Sequence, residues 1–233
     1  MSRNSLESSL SNKQSVLLAL RQAKIQLSEF EREKREPIAI IGMGCRFPGG
    51  VNSPESYWQL LRNGVDAITE VPSQRWNIDH YYDPDPSVAG KMYTRCGGFL
   101  EQSIDLFEPE FFGISPREAM KLDPQQRLLL EVTWEAIENA GFSSSQLRGS
   151  ATGVFIGMST HDYEYQSFSS DFSSIDAYSI LGSAQCIAVG RISYLLGFNG
   201  PTFQLDTSCS SSLVALHQAC QSLRAKECNL ALV

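Results

Sequence analysis

An α/β architecture is the fold class predicted for this chain of 233 residues, and three observations predict it. Short β-branched runs at Ile38–Gly42 and Thr152–Gly157 have the composition of strands buried on both faces, and Thr202–Leu205 can be a third short strand. Helical periodicity with capping signals falls between and after them, most clearly from Arg127 to Ile137 and from Leu213 to Leu223. Hydrophobic residues make up 42% of the chain and aromatic residues 10%, enough to fill a core around such a sheet.

The first 36 residues differ in character from the rest. Val16, Leu20, Ala23, Leu27 and Phe30 recur at intervals of four, three, four and three, which is the a/d seam of a coiled coil over about two heptads. Charged residues occupy the other faces, and the charged run from Glu31 to Glu36 ends at Pro37. A helix over residues 13–35 would be about 35 Å long and only marginally stable alone, so it calls for a partner helix or a resting place on its own domain.

The run Ile38–Gly42 predicts a buried strand. Gly42-Met43-Gly44 after it begins like a dinucleotide fingerprint, but Phe47 stands where the third glycine belongs and Pro48-Gly49-Gly50 blocks a helix start. The glycines are therefore expected to serve a tight turn at the strand end. Ser53-Pro54 caps a helix that closes before Gly64. Residues 77–105, with Asp83-Pro84-Asp85-Pro86 and Gly97-Gly98, predict long loop with little regular structure. Ser115-Pro116-Arg117-Glu118 is a capping box, and Asp123-Pro124-Gln125-Gln126 opens a helix that ends at Gly141. Thr152–Gly157 predicts a central strand. Leu213, Leu216, Ala219, Cys220 and Leu223 predict the buried stripe of a last helix.

Composition narrows the function classes. Nineteen Lys and Arg against 26 Asp and Glu give a net charge of −7, which offers no broad basic surface to nucleic acid. No apolar run approaches the length of a membrane span and no signal-peptide pattern opens the chain, so the expectation is a cytoplasmic protein. The six cysteines are too sparse for a disulfide scaffold and form no C-x-x-C pair. His80, His161 and His217 do not combine with them at metal-site spacings, so no metal is expected.

Cys209 is the candidate site. Gly200-Pro201 ends whatever precedes it, Thr202–Leu205 forms a strand, and the last helix begins just after the cysteine. The N–H end of a helix favours thiolate over thiol and can receive the oxyanion formed when a thioester carbonyl is attacked. Ser208, Ser210, Ser211 and Ser212 leave room for a long substrate. On spacing alone, a buried cysteine at a serine-rich helix cap has the same pattern.

Three segments carry a resemblance. Pro37 to Gly50 (PIAIIGMGCRFPGG), Asp123 to Glu131 (DPQQRLLLE) with its helix through Gly141, and Asp206 to His217 (DTSCSSSLVALH) closely resemble the β-ketoacyl synthase domain of modular type I polyketide synthases, from about residue 37 to the end. The resemblance implies a thiolase-like layered α/β fold, present here as about its N-terminal half, working as a homodimer. It implies that Cys209 accepts an acyl chain from an acyl carrier protein and passes it to the carbanion left when a malonyl-type extender loses CO2. No cofactor is implied for the domain itself, since substrates ride on the phosphopantetheine of carrier proteins. The family more often has alanine at the position of Ser208.

The resemblance also implies two histidines, in a His-Gly-Thr-Gly-Thr motif and a Lys-to-Gly-His segment, and neither motif occurs in this sequence. His217 lies eight residues along the helix from Cys209, about 12 Å of rise, too far to replace them. His161 after a strand end and His80 in a loop are weaker candidates. Cys228 to Val233 (CNLALV) reads as a strand without its closing turn, so the expectation is a truncated domain, inactive alone in condensation. Residues 1–36 then resemble a docking helix, pairing across the dimer and receiving the C-terminal tail of an upstream synthase. The alternative reading is a docking or interaction fragment without catalysis; a thiol hydrolase would lack its histidine just as much.

Overall fold

The computed structural model describes residues 3–169, 173 and 175–233, without the side chains of residues 3–15, 30, 33, 34 and 169. A three-stranded parallel sheet organises the body. β3 (Thr152–Gly157) is its central strand, with β4 (Thr202–Leu205) and β5 (Leu230–Leu232) both parallel to it. Alternation along β3 sends its side chains to two separate cores. Val154 and Ile156 pack with Leu130 and Ile137 of α4 (Pro124–Asn139) and with Val189, Ile192 and Leu196 of α8 (Gln185–Leu196). Phe155 packs on the opposite face with Ala215 and Ala219 of α9 (Ser211–Arg224). Helices thus cover both faces of a parallel sheet, as its apolar composition requires.

Local chemistry starts and stops these helices. Ser53 caps α2 (Pro54–Arg62), with a reciprocal bond to Ser56, and Gly64 follows at φ +62°. Asp123 caps α4 by accepting a hydrogen bond from the Gln125 N–H at 2.8 Å. Ser115 accepts from the Glu118 N–H at the start of α3 (Pro116–Ala119), but the expected capping box is only half formed. The Glu118 carboxylate instead pairs with Arg191 of α8, whose Nε also donates to Gln126 at 3.1 Å. Gln126 in turn donates to the Gly182 carbonyl in α7 (Ala177–Ser183), so α4, α7 and α8 are tied by one buried network.

The structure corrects several expectations. Ile38–Gly42 is not a strand: it pairs with no ladder and meets α4 at Gly42, with Ile40 80% exposed. A strand needs a ladder partner, and an apolar cleft of about 770 Å³ stands between this segment and β5. Leu129 and Val132 of α4 and Leu216 and Leu223 of α9 help to line it. Gly42 and Gly44 make no tight turn either. They let the segment touch the helix, since a Cβ on Gly42 would stand 2.3 Å from the Ala136 carbonyl oxygen. The Met43 N–H donates to Asn139 at 3.0 Å, and Arg46 pairs with Glu135, fixing the same contact.

Residues 77–105 carry little regular structure, as expected. β2 (Cys96–Gly98) pairs antiparallel with β1 (Ile68–Glu70), and a single 3₁₀ turn covers Ile78–His80. Gly98 can enter this ladder because it lacks a Cβ, which would meet Pro48 at 2.9 Å. The buried face of α9 is Ser211, Ala215, Ala219 and Ser222, while Leu213 is 72% exposed. Close approach of helix to sheet selects small residues there and leaves Leu213 and Leu216 exposed, while Leu223 still packs against the same core.

α1 spans Arg3–Lys34, starting ten residues before the expected helix; no glycine or proline interrupts residues 3–36. Val16, Leu20, Ala23 and Leu27 are all exposed, Leu20 by 61%. The side chain of Phe30, the fifth residue of the expected seam, lies outside the described residues. Among the described residues no single helix is long and apolar enough to cross a membrane.

Candidate active site around Cys209

Cys209 is exposed, in a 3₁₀ turn over Ser208–Ser210 that joins β4 to α9. Parallel strands deliver their carboxyl ends to one side of a sheet, where loops can build a site. The turn is held by its own polar side chains. Asp206 accepts from the Ser208 N–H at 2.9 Å, Ser211 Oγ accepts from the Thr207 N–H at 2.9 Å, and Ser211 Oγ donates to the Ser208 carbonyl at 2.7 Å. Ser210 Oγ donates to the Thr207 carbonyl at 2.9 Å. The serines expected to leave room for substrate therefore also fold the turn.

Ser208 adopts φ +57°, the left-handed region that non-glycine residues rarely enter. This reverses the chain abruptly and presents Cys209 ahead of the N–H end of α9. The Ser208 Oγ lies 3.9 Å from the Cys209 Sγ. Gly157, the last residue of β3, brings the sheet against the start of the same helix: a Cβ there would stand 2.6 Å from the Ser211 carbonyl carbon and the Ser212 nitrogen. No feature of composition marks the Ser208 reversal in the sequence. The signal that could have found it is a small polar residue directly before a nucleophile at a strand-to-helix turn.

The other candidates are not gathered here. His161 lies just before α6 (Asp162–Ser169), half exposed, with Nδ1 3.1 Å from Glu164. His217 is within α9, two turns beyond Cys209, and His80 sits in the 3₁₀ turn over Ile78–His80. Of the remaining cysteines, Cys96 and Cys186 are exposed, Cys45 and Cys220 are half-buried and Cys228 is buried. Burial raises the Cys45 thiol above its ordinary value, against the opposing charge of Arg46. Burial likewise pushes up the Cys228 thiol. Among the described residues no cluster of three or more His, Cys, Asp or Glu is arranged to hold a metal ion.

Comparison with known proteins decides the family. Residues 35–233 match the family model of the β-ketoacyl synthase N-terminal domain. The chain belongs to the β-ketoacyl synthase family. Among curated relatives, one of the phenolphthiocerol/phthiocerol polyketide synthase subunits of Mycobacterium tuberculosis (strain CDC 1551 / Oshkosh) is 55% identical over 197 residues, covering 84% of this chain and 11% of the relative. The phenolphthiocerol synthesis polyketide synthase type I Pks15/1 of Mycobacterium marinum is 47% identical over 218 residues, 93% of this chain and 10% of the relative. This chain thus spans about a tenth of the length of these relatives.

Solved structures agree. The oxazolomycin ketosynthase domain OzmH KS7 of Streptomyces albus JA3453 aligns with a TM-score of 0.75 at 38% identity, over 81% of this chain and 32% of that one. A ketosynthase from module 6 of the bacillaene synthase of Bacillus subtilis 168 aligns at 0.72 and 37%, over 83% of this chain and 31% of that one. The ketosynthase assignment and the thiolase-like fold of its N-terminal part follow from these matches. The turn bearing Cys209 lies within the matched region.

Proposed function

We propose that this chain carries the acyl-accepting nucleophile of a polyketide β-ketoacyl synthase, an acyltransferase activity, with Cys209 as the catalytic residue. The observation that carries the reading is the exposed sulfur at a left-handed strand-to-helix turn, directly ahead of α9. The Cys209 thiolate attacks the thioester carbonyl of an acyl chain borne on the phosphopantetheine of a carrier protein. The N–H end of α9 is placed to receive the tetrahedral oxyanion. Collapse of that intermediate leaves the chain on Sγ and releases the carrier thiolate, which takes up a proton.

In the condensing half-reaction, the bond between the extender's α-carbon and its carboxylate breaks and CO2 departs. The freed electron pair attacks the Cys209 thioester, a carbon–carbon bond forms, and Sγ leaves as thiolate. Proton and charge handling at the extender falls to groups outside this sequence, because neither family histidine motif occurs in it. The 233 residues alone are therefore expected to load without condensing.

A second reading adds to this one and is favoured by a separate observation: the exposed apolar seam Val16, Leu20, Ala23 and Leu27 on α1. It fits a docking helix, self-paired in a homodimer, that receives the C-terminal tail of an upstream synthase in the cytoplasm. The deciding experiment is acyl loading in the complete synthase. Cys209→Ala should abolish covalent transfer from an acylated carrier protein, seen by mass spectrometry of the intact protein. Undiminished loading on that variant would leave docking without catalysis as the surviving account.

A further inference from the structure

A relay of side-chain amides links the strand that delivers Cys209 to the neighbouring loop, and nothing in the chemistry above uses it. Gln204 of β4 stands five residues before the cysteine. Its Nε2 donates to the Met158 carbonyl at 2.7 Å and to Gln185 Oε1 at 2.9 Å. Gln185, buried at the start of α8, donates through its own Nε2 to the Thr160 carbonyl at 2.6 Å. The relay continues outward, since Thr160 Oγ1 donates to Gln125 Oε1 at 3.2 Å. Both N–H groups of the Gln204 amide are spent, and the orientation of the Gln185 amide is fixed by having one donor and one acceptor on opposite sides.

The two carbonyls held in this way belong to the loop Met158–His161. Strand register puts that loop beside the nucleophile. Gly157 pairs with Leu205, so Met158 is level with Asp206, and the chain leaving β3 runs alongside the chain leaving β4 toward Cys209. The Met158 N–H donates to the Leu205 carbonyl at 3.0 Å, closing the loop onto the strand at its first residue. Ser159, Thr160 and His161 are exposed on this loop. A substrate laid against the sulfur meets the neighbouring loop at the same end of the sheet.

We propose that Gln204 and Gln185 are positioning residues that hold Met158–His161 as a fixed wall beside Cys209, governing the fit of a long acyl chain rather than the reactivity of the sulfur. The inference rests on the proposed acyl-loading role. Removing the Gln204 amide takes the side-chain donor from the Met158 carbonyl, and removing the Gln185 amide leaves the Thr160 carbonyl only the longer 3.5 Å bond from Gln125 Nε2; either change loosens the loop, which weakens binding of a substrate that needs the wall and spares a small reagent that does not.

Gln204→Met and Gln185→Met in the complete synthase test this, read by two assays. Alkylation of Cys209 by iodoacetamide should stay within about twofold of the unmodified protein. Loading from a long-chain acyl N-acetylcysteamine thioester should fall about tenfold in kcat/KM, chiefly through KM, and loading of an acetyl thioester should fall less. The double variant should be no worse than either single one, because both break the same relay. Unchanged long-chain loading overturns the proposal, as does a fall in alkylation equal to the fall in loading. Should the buried variants fail to fold, Gln125→Ala at the half-buried outer end replaces them: reduced long-chain loading with normal alkylation supports the proposal, and normal loading overturns it. If the unmodified synthase places no acyl group on Cys209, it is the loading role that fails, a distinct outcome.

Discussion

Gly157 at the end of β3 and Ser211 at the start of α9 are in backbone contact that only a glycine permits, because a Cβ on residue 157 would come within 2.6 Å of the Ser211 carbonyl carbon. This contact sets the depth at which the helix after the Cys209 turn meets the sheet. Gly157→Ala forces the two apart against a packed core, at a cost of about 1–3 kcal/mol. Thermal melting should show a fall of roughly 3–9 °C. An alanine variant that melts with the unmodified protein would show that the contact has slack.

Ser208 carries the left-handed conformation that aims Cys209. Ser208→Gly should be neutral within about 0.5 kcal/mol, because relief of backbone strain and the greater freedom of the unfolded chain offset each other. Ser208→Val should cost about 2 kcal/mol, since a β-branched residue resists positive φ. Urea unfolding of both variants measures the difference, and equal stability would mean the turn relaxes to another conformation.

Asp123 caps α4 from a buried position, and burial raises its carboxyl above the ordinary carboxylate range even though the Gln125 N–H pulls it down. A raised pKa in the folded state means that the native protein binds this proton more tightly than the unfolded chain does. The associated stability is present below the unfolded value and is lost as pH rises through the folded one. Asp123→Asn keeps a capping oxygen and cannot ionise. The variant should therefore gain stability relative to the unmodified protein between about pH 4 and about pH 7, and melting temperatures at both pH values read the gain. A difference that shrinks with rising pH would contradict the burial argument.

The seam on α1 predicts self-association through that helix. Leu20→Asp and Leu27→Asp each place a charge on the exposed apolar stripe and should shift sedimentation velocity profiles toward monomer. Unaltered association in the double variant would move the dimer contact elsewhere.

Strand and helix positions were legible wherever one residue type fixes a backbone need. Ser53, Asp123 and Gly64 mark helix ends in the sequence and mark them in the structure. Thr152–Gly157 reads as a central strand because it is apolar on both faces, and it is one. Ile38–Gly42 misled for the same reason: its composition demands a two-sided strand, but pairing depends on a neighbour, and composition carries no record of the neighbour. The α9 stripe held at Ala219 and Leu223 and failed at Leu213 and Leu216, because periodicity ranks residues by hydrophobicity. Contact distance decided instead, burying Ser211 and Ala215 and leaving Leu213 exposed. At the site, the position of Cys209 between strand and helix was readable from Gly200-Pro201 and the serine run. The relay from Gln204 through Gln185 to Thr160 was not, because its members are 19 and 25 residues apart and meet only through the sheet register.

Cys96, in strand β2, and Cys209, ahead of α9, are both exposed, so the rates at which iodoacetamide modifies them in the same protein at neutral pH separate exposure from activation. Peptide-resolved mass spectrometry of a labelling time course is the measurement. The account predicts that Cys209 is modified at least about tenfold faster than Cys96. Equal rates at the two sites, or a slower Cys209, would contradict it.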